Sequence, residues 1–456
     1  MKLPPLPQQV AMSEFMVNHA QAAVFAEPGL GKTRATLDAI DFLLKDCGTK
    51  GALVIAPKRV AALTWPNEVR KWAPHLKVAN LRTPEGAQAW ERQSADIYVT
   101  NVEYLQQSCD KFLAKRKSIP ADLLVIDELT KLKSHDSKRA KALFAHRSKF
   151  NRFIGLTGTP APNSHLDLYN QIKMLDGGER LGKSFHAFRS RYASSDFMGF
   201  TWTINPGSRE AIEAKIADIT LVMLAKDYLD IPPVTVKDID VVLPAEARKL
   251  YLKMEKDMLA EVQRKEVVAL SAAALVTKLR QITGGAVYTT DETTLVRTHV
   301  DVHSAKIDAL KTLHGSIHKR PLLVAIQYEH ERERIKRALP YAQDFDEKKL
   351  DEWNAGKIPL WIAHPLAMAH GINAQGFCRD VCWFSPTYSR EDYSQFNARV
   401  ARTGQQHETT IYRLLAEDTV DWSVAEVLND KGDNQQGMME NLVANVKMLA
   451  QLRKSS

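Results

Sequence analysis

Residues 26–33 read AEPGLGKT, the most informative sequence in the first part of the chain. A short apolar run, Val24–Ala26, leads into it, and an apolar-periodic stretch follows it to about Leu44. Glycines between a strand and a helix let backbone N–H groups turn toward a phosphate, and the helix N-terminus favours negative charge. The order of strand, glycine loop and helix therefore predicts a nucleotide-binding P-loop.

The residue types within the loop indicate how it would hold ATP. Gly29 and Gly31 allow the chain to curl around the phosphates. The Lys32 ammonium would neutralise the outer phosphates, and the Thr33 hydroxyl would ligate Mg²⁺. We assign ATP binding to the whole loop, with Lys32 also in a catalytic role: Glu27, Pro28, Gly29, Leu30, Gly31, Lys32, Thr33 and Arg34.

A P-loop needs a carboxylate at the end of a neighbouring strand, and LLVIDE supplies one. The apolar run Leu123–Ile126 delivers Asp127 and Glu128 at its carboxyl end, where open α/β sheets bind their ligands. We predict that Asp127 holds Mg²⁺. We predict that Glu128 orients the attacking water and takes its proton.

Short, continuous apolar runs recur along the whole chain. Continuous rather than alternating runs are typical of strands buried on both faces, and hence of parallel sheets covered by helices. Two series of such runs predict an α/β protein with two lobes, residues 1–230 and 231–456, joined near the paired prolines Pro232 and Pro233. A long helical stretch is expected from Pro244 to about Ile282. The runs are Val24–Ala26, Leu53–Ala56, Ile97–Thr100, Leu123–Ile126 and Phe153–Leu156, then Leu322–Ile326, Leu360–Ala363, Val381–Phe384 and Thr410–Leu414.

Composition narrows the class of protein. With 456 residues, 45% apolar and 25% charged, the chain reads as a globular protein of more than one domain. It has no apolar run long enough to cross a membrane and no signal-peptide pattern at its start. Four cysteines form no disulfide framework, and Cys378 and Cys382 are expected to be buried thiols rather than zinc ligands. We therefore expect a reducing cytoplasm, that of a bacterium or a phage-infected host, and no membrane contact.

The positive charge is concentrated in one segment. The net charge is +8, and the segment Lys131–Arg152 carries eight basic residues against the single acid Asp136. Clustered Lys and Arg indicate a phosphate track, although a solvated helix face remains the alternative. A second segment, near Phe185–Trp202, mixes aromatic and basic residues and is either a nucleic-acid surface or lobe packing.

The stretch SREDYSQFNARVARTGQ, residues 389–405, is predicted to be one helix. Ser389 starts a capping box, and Gly404 is expected to stop the helix. Gln395, Arg399 and Arg402 would then share one face. Taken alone, this pattern is typical of a solvated surface.

Together these motifs resemble those of the superfamily-2 helicases, and among them the Swi/Snf-type DNA translocases. The flanking sequence is most similar to the short branch carried by bacteriophages and prophages. The resemblance covers nearly the whole chain. One departure is Thr130, which stands where the family's Asp-Glu-Ala-His box has its histidine. It rests on the P-loop, the Asp-Glu pair, PQQ (7–9), APKRVAALTWPNEVRKW (56–72), YVTNVEYL (98–105), LTGTPAPN (156–163), LLVAIQY (322–328), AMAHGINAQ (367–375) and SQFNARVARTGQ (394–405).

The resemblance implies two RecA-like P-loop lobes, each a parallel sheet flanked by helices, with ATP in the cleft between them. It implies that Gln9 reads adenine and that Gln395, Arg399 and Arg402 reach the same ATP, the two arginines catalytically. Thr157, Gly158 and Thr159 would couple the ATP state to the grip on DNA. The candidate nucleic-acid contacts are Lys58, Thr100, Asn101, Lys131, Lys133, Gly371 and Asn373.

The function expected on this basis is ATP-dependent movement along DNA, with ATP and Mg²⁺ required and double-stranded DNA as the partner. Two alternatives stay open. One is a helicase that separates strands of duplex or branched DNA or of RNA, and the other is a nucleotide-gated DNA-binding module with little turnover.

Overall fold

A computed structural model of the chain describes residues 4–114, 118–158, 160–161, 164–195, 202–264, 268–290, 297–368, 372–402 and 404–429. The chain divides into two compact units, Met1–Asp230 and Ile231–Ser456. No helix among the described residues is long and apolar enough to cross a membrane.

Unit 1 is built on a seven-stranded sheet in which every pairing is parallel. Its strand order is β3-β4-β2-β5-β6-β1-β9, and a separate antiparallel hairpin joins β7 to β8. The strands are β1 (Gln21–Ala26), β2 (Ala52–Ala56), β3 (Val78–Asn80), β4 (Ile97–Asn101), β5 (Leu123–Asp127), β6 (Arg152–Thr157), β7 (Ala193–Ser195), β8 (Trp202–Ile204) and β9 (Thr220–Met223).

Helices connect successive strands of this sheet, as parallel pairing requires. Helix α1 (Pro7–Asn18) precedes β1, and the helices after it are α2 (Lys32–Asp46), α3 (Trp65–Trp72), α4 (Pro84–Arg92), α5 (Leu105–Ser108), α6 (Lys138–Phe144), α7 (Leu168–Asp176), α8 (Phe185–Tyr192) and α9 (Ser208–Ile216). A short 3₁₀ turn, Leu129–Leu132, follows β5 directly.

Unit 2 contains a six-stranded sheet that is also parallel throughout, in the order β10-β17-β16-β13-β15-β14. A separate antiparallel hairpin pairs β11 with β12. The strands are β10 (Val234–Val241), β11 (Ala286–Thr290), β12 (Arg297–Asp301), β13 (Leu322–Ala325), β14 (Gln343–Asp344), β15 (Leu360–Ala363), β16 (Asp380–Trp383) and β17 (Thr409–Ala416).

The helical stretch expected after Pro244 is present as two helices, described on either side of residues 265–267. The helices of unit 2 are α10 (Ala245–Arg264), α11 (Val268–Gly284), α12 (Ala305–Ser316), α13 (Glu329–Ala338), α14 (Leu350–Asn354), α15 (Arg390–Asn397) and α16 (Val420–Asn429).

The central strands are buried on both faces, which explains their continuous apolar sequence. Successive residues of β13 belong to different cores: Leu322 and Val324 pack into one cluster, Leu323 and Ala325 into another. This alternation follows from the two-residue period of a strand. The two-sheet α/β fold predicted from the apolar runs is thus confirmed, and Cys378 and Cys382 are buried free thiols as expected.

A buried ion pair ties the helices of unit 2 to its sheet. The Lys306 ammonium lies 2.6 Å from Asp421, and the two side chains are 1% and 0% exposed. Lys306 also donates to the Phe384 carbonyl, and Asp421 accepts from the Thr283 hydroxyl. Because both charges are otherwise cut off from water, each depends on the other for its stability in the fold.

Replacing Lys306 with Met should destabilise unit 2 by about 3–5 kcal/mol, because Asp421 would keep its buried charge without a cation. The measurement is urea unfolding of the full chain, followed by hydrogen exchange of peptides from unit 2. The matched control is Lys311→Met on the same helix, whose ion pair with Asp308 is largely exposed. Equal unfolding midpoints for the two variants would contradict the prediction.

Candidate nucleotide site

The predicted P-loop joins β1 to α2 at the carboxyl edge of the unit 1 sheet. Gly29 and Gly31 have φ of +94° and +82°, a left-handed conformation that glycine adopts without strain. The helix begins at Lys32, whose ammonium donates to the Ala26 carbonyl at 2.5 Å and to the Glu27 carbonyl at 3.4 Å. The loop therefore has the curled backbone that the sequence predicted, with Lys32 held against it.

Gln9 lies directly against this loop, although it comes from α1. A Cβ atom placed on Gly31 would lie 2.2 Å from Gln9 Nε2, so only glycine leaves room for the amide. The other end of that amide, Oε1, accepts a hydrogen bond from the Leu6 backbone at 2.9 Å. The structure thus brings together two predicted ATP-binding residues that are 22 positions apart in the sequence.

Three other loop residues have partners within unit 1. The Glu27 carboxylate accepts from the Ala225 backbone at 2.6 Å, and Leu30 is fully buried. Arg34 pairs with Asp38 at 3.0 Å, and its guanidinium lies 4.0 Å from the centre of the Trp72 ring. These contacts fix the loop and the start of α2, and the predicted contact of Arg34 with ATP stays a prediction.

Asp127 is the last residue of β5, and its carboxylate accepts a hydrogen bond from Trp65 Nε1 at 2.9 Å. Desolvation raises the pKa of the Asp127 carboxyl to about 6, and the neighbouring Glu128 carboxylate adds to the rise. The Trp65 hydrogen bond and the Lys32 charge act in the opposite direction. Asp127 is therefore a carboxylate whose charge depends on nearby cations.

Glu128 is held by two hydroxyl groups. Its backbone is left-handed, with φ of +71° and ψ of +67°, which is uncommon for a residue with a side chain. Its Oε1 accepts from the Thr130 hydroxyl at 2.8 Å and from the Thr157 hydroxyl at 2.7 Å. Within the described part of the chain, Oε2 accepts no hydrogen bond. One carboxylate oxygen is thus fixed by two hydroxyl groups, and the predicted catalytic role of Glu128 stays a prediction.

Thr157 reaches Glu128 because β6 lies between β5 and β1 in the sheet. The next residue, Gly158, adjoins the P-loop: a Cβ atom on it would lie 3.3 Å from Pro28 Cδ. The end of β6 therefore contacts both the loop and the Asp-Glu pair, and its coupling role stays a prediction. The third predicted coupling residue, Thr159, lies outside the described residues.

The donor set at this edge suits ATP and a hard divalent cation. Thr33 and Asp127 offer a hydroxyl and a carboxylate oxygen, the ligand types that Mg²⁺ uses beside phosphates. The curled glycines and Lys32 offer N–H and ammonium donors to an anion. The residues present therefore fit both groups.

In unit 2 the predicted helix 389–405 is wrong at its end. Ser389 caps the start as expected, accepting from the Asp392 backbone at 3.1 Å, but α15 stops at Asn397. The Asn397 side chain accepts from Trp383 Nε1 at 3.0 Å, and the Arg399 carbonyl accepts from the Ala374 backbone at 3.0 Å. These tertiary bonds hold the chain in tight turns, so Gly404 does not end the helix.

The shared-face argument for Gln395, Arg399 and Arg402 therefore fails, although the three residues remain close in sequence. Arg399 Nε donates to the Gln395 carbonyl at 3.0 Å, and Arg402 donates to the Ile372 carbonyl at 3.1 Å. Gln395 and Arg399 are each 8% exposed, and burial lowers the pKa of Arg402. This burial argues against the solvated-surface interpretation of the stretch.

The candidate nucleic-acid contacts divide by exposure. Thr100 and Asn101 are 1% and 2% exposed, with the Thr100 hydroxyl 2.9 Å from that of Ser108, so direct contact through these side chains is not possible in this structure. The predicted nucleic-acid contact of both residues stays a prediction. Gly371 lies outside the described residues. The remaining candidates are at least partly exposed: Lys58, Lys131, Lys133 and Asn373. The Lys133 ammonium lies 3.4 Å from the Asp167 carboxylate.

The basic residues of the segment Lys131–Arg152 fall into two groups, those that bond to the fold and those that face solvent at least in part. Arg147 donates to the carbonyls of Met174 and Leu175, and Arg152 donates to the carbonyls at the end of α1, so both arginines hold the fold together. Its other cations are exposed or partly exposed. In the aromatic segment, Phe188 and Tyr192 belong to the core of unit 1, which favours the packing interpretation for them.

A P-loop, an adjacent Asp-Glu pair and a threonine that bridges them form the kind of site that nucleotide-hydrolysing P-loop proteins possess. The family model of the SNF2-related domain matches residues 9–284, more than half of the chain. The chain therefore belongs to the SNF2-related family, and the resemblance stated from the sequence is confirmed.

Among known proteins, the chain is 35% identical to Putative protein p41 of Acyrthosiphon pisum secondary endosymbiont phage 1, over 96% of this chain and 98% of that protein. It is 26% identical to an uncharacterized ATP-dependent helicase of Mycoplasma genitalium, over 93% of this chain but only 40% of the helicase. The chain thus spans about two fifths of that helicase relative. Among solved structures, the Sulfolobus solfataricus SWI2/SNF2 ATPase core in complex with dsDNA aligns with 99% of this chain and 96% of its own at 20% identity, with a TM-score of 0.47.

Two side chains that hold the Asp-Glu pair, Trp65 and Thr130, were not predicted from the sequence. Trp65 was noted only as part of a motif, and nothing in the sequence indicated that its indole would reach Asp127. Thr130 was noted as a departure from the usual histidine, and its hydroxyl could have been weighed as a donor to the preceding glutamate. The Trp65 contact depends on how neighbouring strands are placed, whereas the Thr130 contact lies within the turn after β5.

Thr130→Val removes the Thr130 hydroxyl with little change of shape. The variant should lower the turnover number for ATP by about 10-fold, because a hydrogen bond to a charged group contributes about 1.5–3 kcal/mol and Thr157 retains part of the effect. Affinity for ATP should change little. The measurement is steady-state ATPase kinetics, with Thr130→Ser as the control that keeps the donor. Wild-type turnover in the valine variant would contradict the role of this hydrogen bond.

Proposed function

We propose that this chain is an ATP-driven motor that moves along duplex DNA. The observation that carries the proposal is the Glu128 carboxylate, fixed through one oxygen by Thr130 and Thr157 beside a curled P-loop. Family membership and the similarity to ATP-dependent helicases of two Mycoplasma species support an ATPase that acts on nucleic acid. Double-stranded DNA as the track follows from the resemblance to Swi/Snf-type translocases.

In the proposed hydrolysis step, Lys32 and the loop N–H groups hold the β- and γ-phosphates. The free Oε2 of Glu128 takes a proton from a water molecule, and the water oxygen attacks the γ-phosphorus. The bond from the γ-phosphorus to the β–γ bridging oxygen breaks, so that ADP and inorganic phosphate leave. Fixing Oε1 limits rotation of the carboxylate and keeps Oε2 at one position for the water.

Thr33 and Asp127 would hold Mg²⁺, which supplies positive charge against the phosphate oxygens. The chain's own contribution is the orientation of Asp127. The Trp65 hydrogen bond stabilises its charged form and fixes the carboxylate at the end of β5.

Coupling to movement is proposed for the end of β6. Thr157 contacts Glu128, and Gly158 adjoins Pro28 in the loop, so a change at the γ-phosphate alters the surroundings of both residues. The proposed contacts to the DNA backbone are Lys58, Lys131 and Lys133 in unit 1 and Gly371 and Asn373 in unit 2. The lysine ammonium groups and the Asn373 side-chain amide suit phosphate oxygens, and a glycine such as Gly371 would contribute a backbone N–H.

The test of the proposal is ATPase activity measured without nucleic acid and with single-stranded DNA, duplex DNA or RNA. Duplex DNA should stimulate turnover most, and the Glu128→Gln variant should lose turnover while it still binds ATP. Triplex displacement without unwinding of a plain duplex would identify translocation. A wild-type protein that binds ATP but hydrolyses none with any nucleic acid would contradict the motor.

Arg399→Ala and Arg402→Ala should each lower ATP turnover by about 10³ or more, with a smaller effect on ATP affinity, if these arginines stabilise the charge that develops on the phosphates. The control is Arg390→Ala. Arg390 lies in the same stretch, and its guanidinium donates to the Val427 carbonyl. Unchanged turnover in both test variants would return Arg399 and Arg402 to a structural role.

A further inference from the structure

A cavity of about 320 Å³ lies at the carboxyl edge of the unit 1 sheet, beside β3 and β4. One wall is the connection from β3 to α4, with Leu81 and Arg82, and the other is α5 and the turn after it, with Gln107, Ser108 and Lys111. None of its lining residues is acidic. No motif considered in the sequence falls on these walls.

The two cations of this cavity have N–H donors to spare. Arg82 and Lys111 are exposed, and within the described residues neither side chain has a hydrogen-bond acceptor or an ion-pair partner. The Arg82 guanidinium lies 3.1 Å from the centre of the Tyr104 ring, which positions it without using its donors. Arg147 and Arg152 of the same unit differ, because carbonyl groups of the fold accept from them.

The chemistry of the walls indicates the class of occupant. Two cations with spare donors and the Gln107 amide suit phosphate oxygens. Leu81 and Phe112 are buried apolar residues at the cavity, and such surface suits the carbon face of a sugar. A sugar-phosphate unit combines both features, whereas a free inorganic anion would leave the apolar side uncovered.

The cavity is too far from the P-loop to serve the ATP phosphates. Strand β3 is five positions from β1 in the sheet, which corresponds to about 24 Å at the usual spacing of parallel strands. The cavity does adjoin the motif from which nucleic-acid contact was predicted. Ser108 in its wall is 2.9 Å from the buried Thr100 hydroxyl.

We propose that this cavity binds one backbone phosphate and its sugar from the nucleic acid, with Arg82 and Lys111 as the phosphate ligands. The inference rests on the proposed DNA-motor function and names a contact point for it. It also assigns to exposed residues the contact that buried Thr100 and Asn101 cannot make through their side chains.

The experiment compares the full chain with the double variant Arg82→Gln/Lys111→Gln. Affinity for a fluorescent 20-base-pair duplex is measured across about 50–200 mM salt, the range over which phosphate contacts weaken strongly. The slope of log K against log salt concentration should become shallower by about 0.9, because the variant loses one phosphate contact and each such contact contributes about 0.9. The matched control is Arg92→Gln/Lys215→Gln, which removes the same two charges from exposed residues of α4 and α9.

The experiment distinguishes failure of the proposed motor function from failure of the cavity assignment. If wild type binds no duplex, both the motor and this occupant are rejected. If wild type binds but the test and control variants have equal slopes, only the cavity assignment is overturned. Titrations with inorganic phosphate and with ADP test whether the cavity binds a small phosphate compound instead of nucleic acid. If either compound binds tightly to wild type but not to the test variant, and duplex affinity is the same in both proteins, the cavity assignment is also overturned. An unchanged KM for ATP without DNA confirms that the variants are folded.

Discussion

The order of three neighbouring strands, β5, β6 and β1, is the constraint on which the candidate site depends. In a parallel sheet all carboxyl ends meet at one edge, and here β6 lies between the strand that ends in the Asp-Glu pair and the strand that leads into the P-loop. Its last residue, Thr157, therefore contacts Glu128, and the following glycine adjoins the loop. A different strand order would leave the same motifs in the chain but separate their side chains.

Basic residues that contribute equally to the net charge differ in whether their side chains are bonded within the fold. Arg147 and Arg152 bind carbonyl groups of their own unit, and Lys306 neutralises a buried carboxylate. These side chains contribute to stability and are not available to a partner. Arg82 and Lys111 have spare donors at the edge of the sheet, although they lie outside the basic segment that the sequence singled out. Local burial and hydrogen bonding thus matter more than charge density for locating a polyanion surface.

Whether a strand could be predicted from the sequence depended on how deeply its residues are buried. Strands buried on both faces have continuous apolar sequences, and each strand expected from such a run is present. The strands that were missed, among them β3, β9, β10 and β14, are short or largely exposed strands at or near a sheet edge, so their residues carry no strong pattern. The end of α15 was mispredicted because tertiary hydrogen bonds of Asn397 and Arg399 override the local helical pattern. The P-loop was predictable because its glycines are required by backbone conformation alone.

The cysteines differ sharply in their surroundings. Cys109, Cys378 and Cys382 are buried, and burial raises the pKa of the first two thiols to about 12 and also raises the pKa of the third. Cys47, directly after α2, is exposed. Thiolates rather than thiols react with maleimides, so the unmodified chain should accept a single fluorophore, at the far end of the helix that begins with the P-loop lysine. A dye at that position would report on this helix through the ATP cycle without any engineered cysteine.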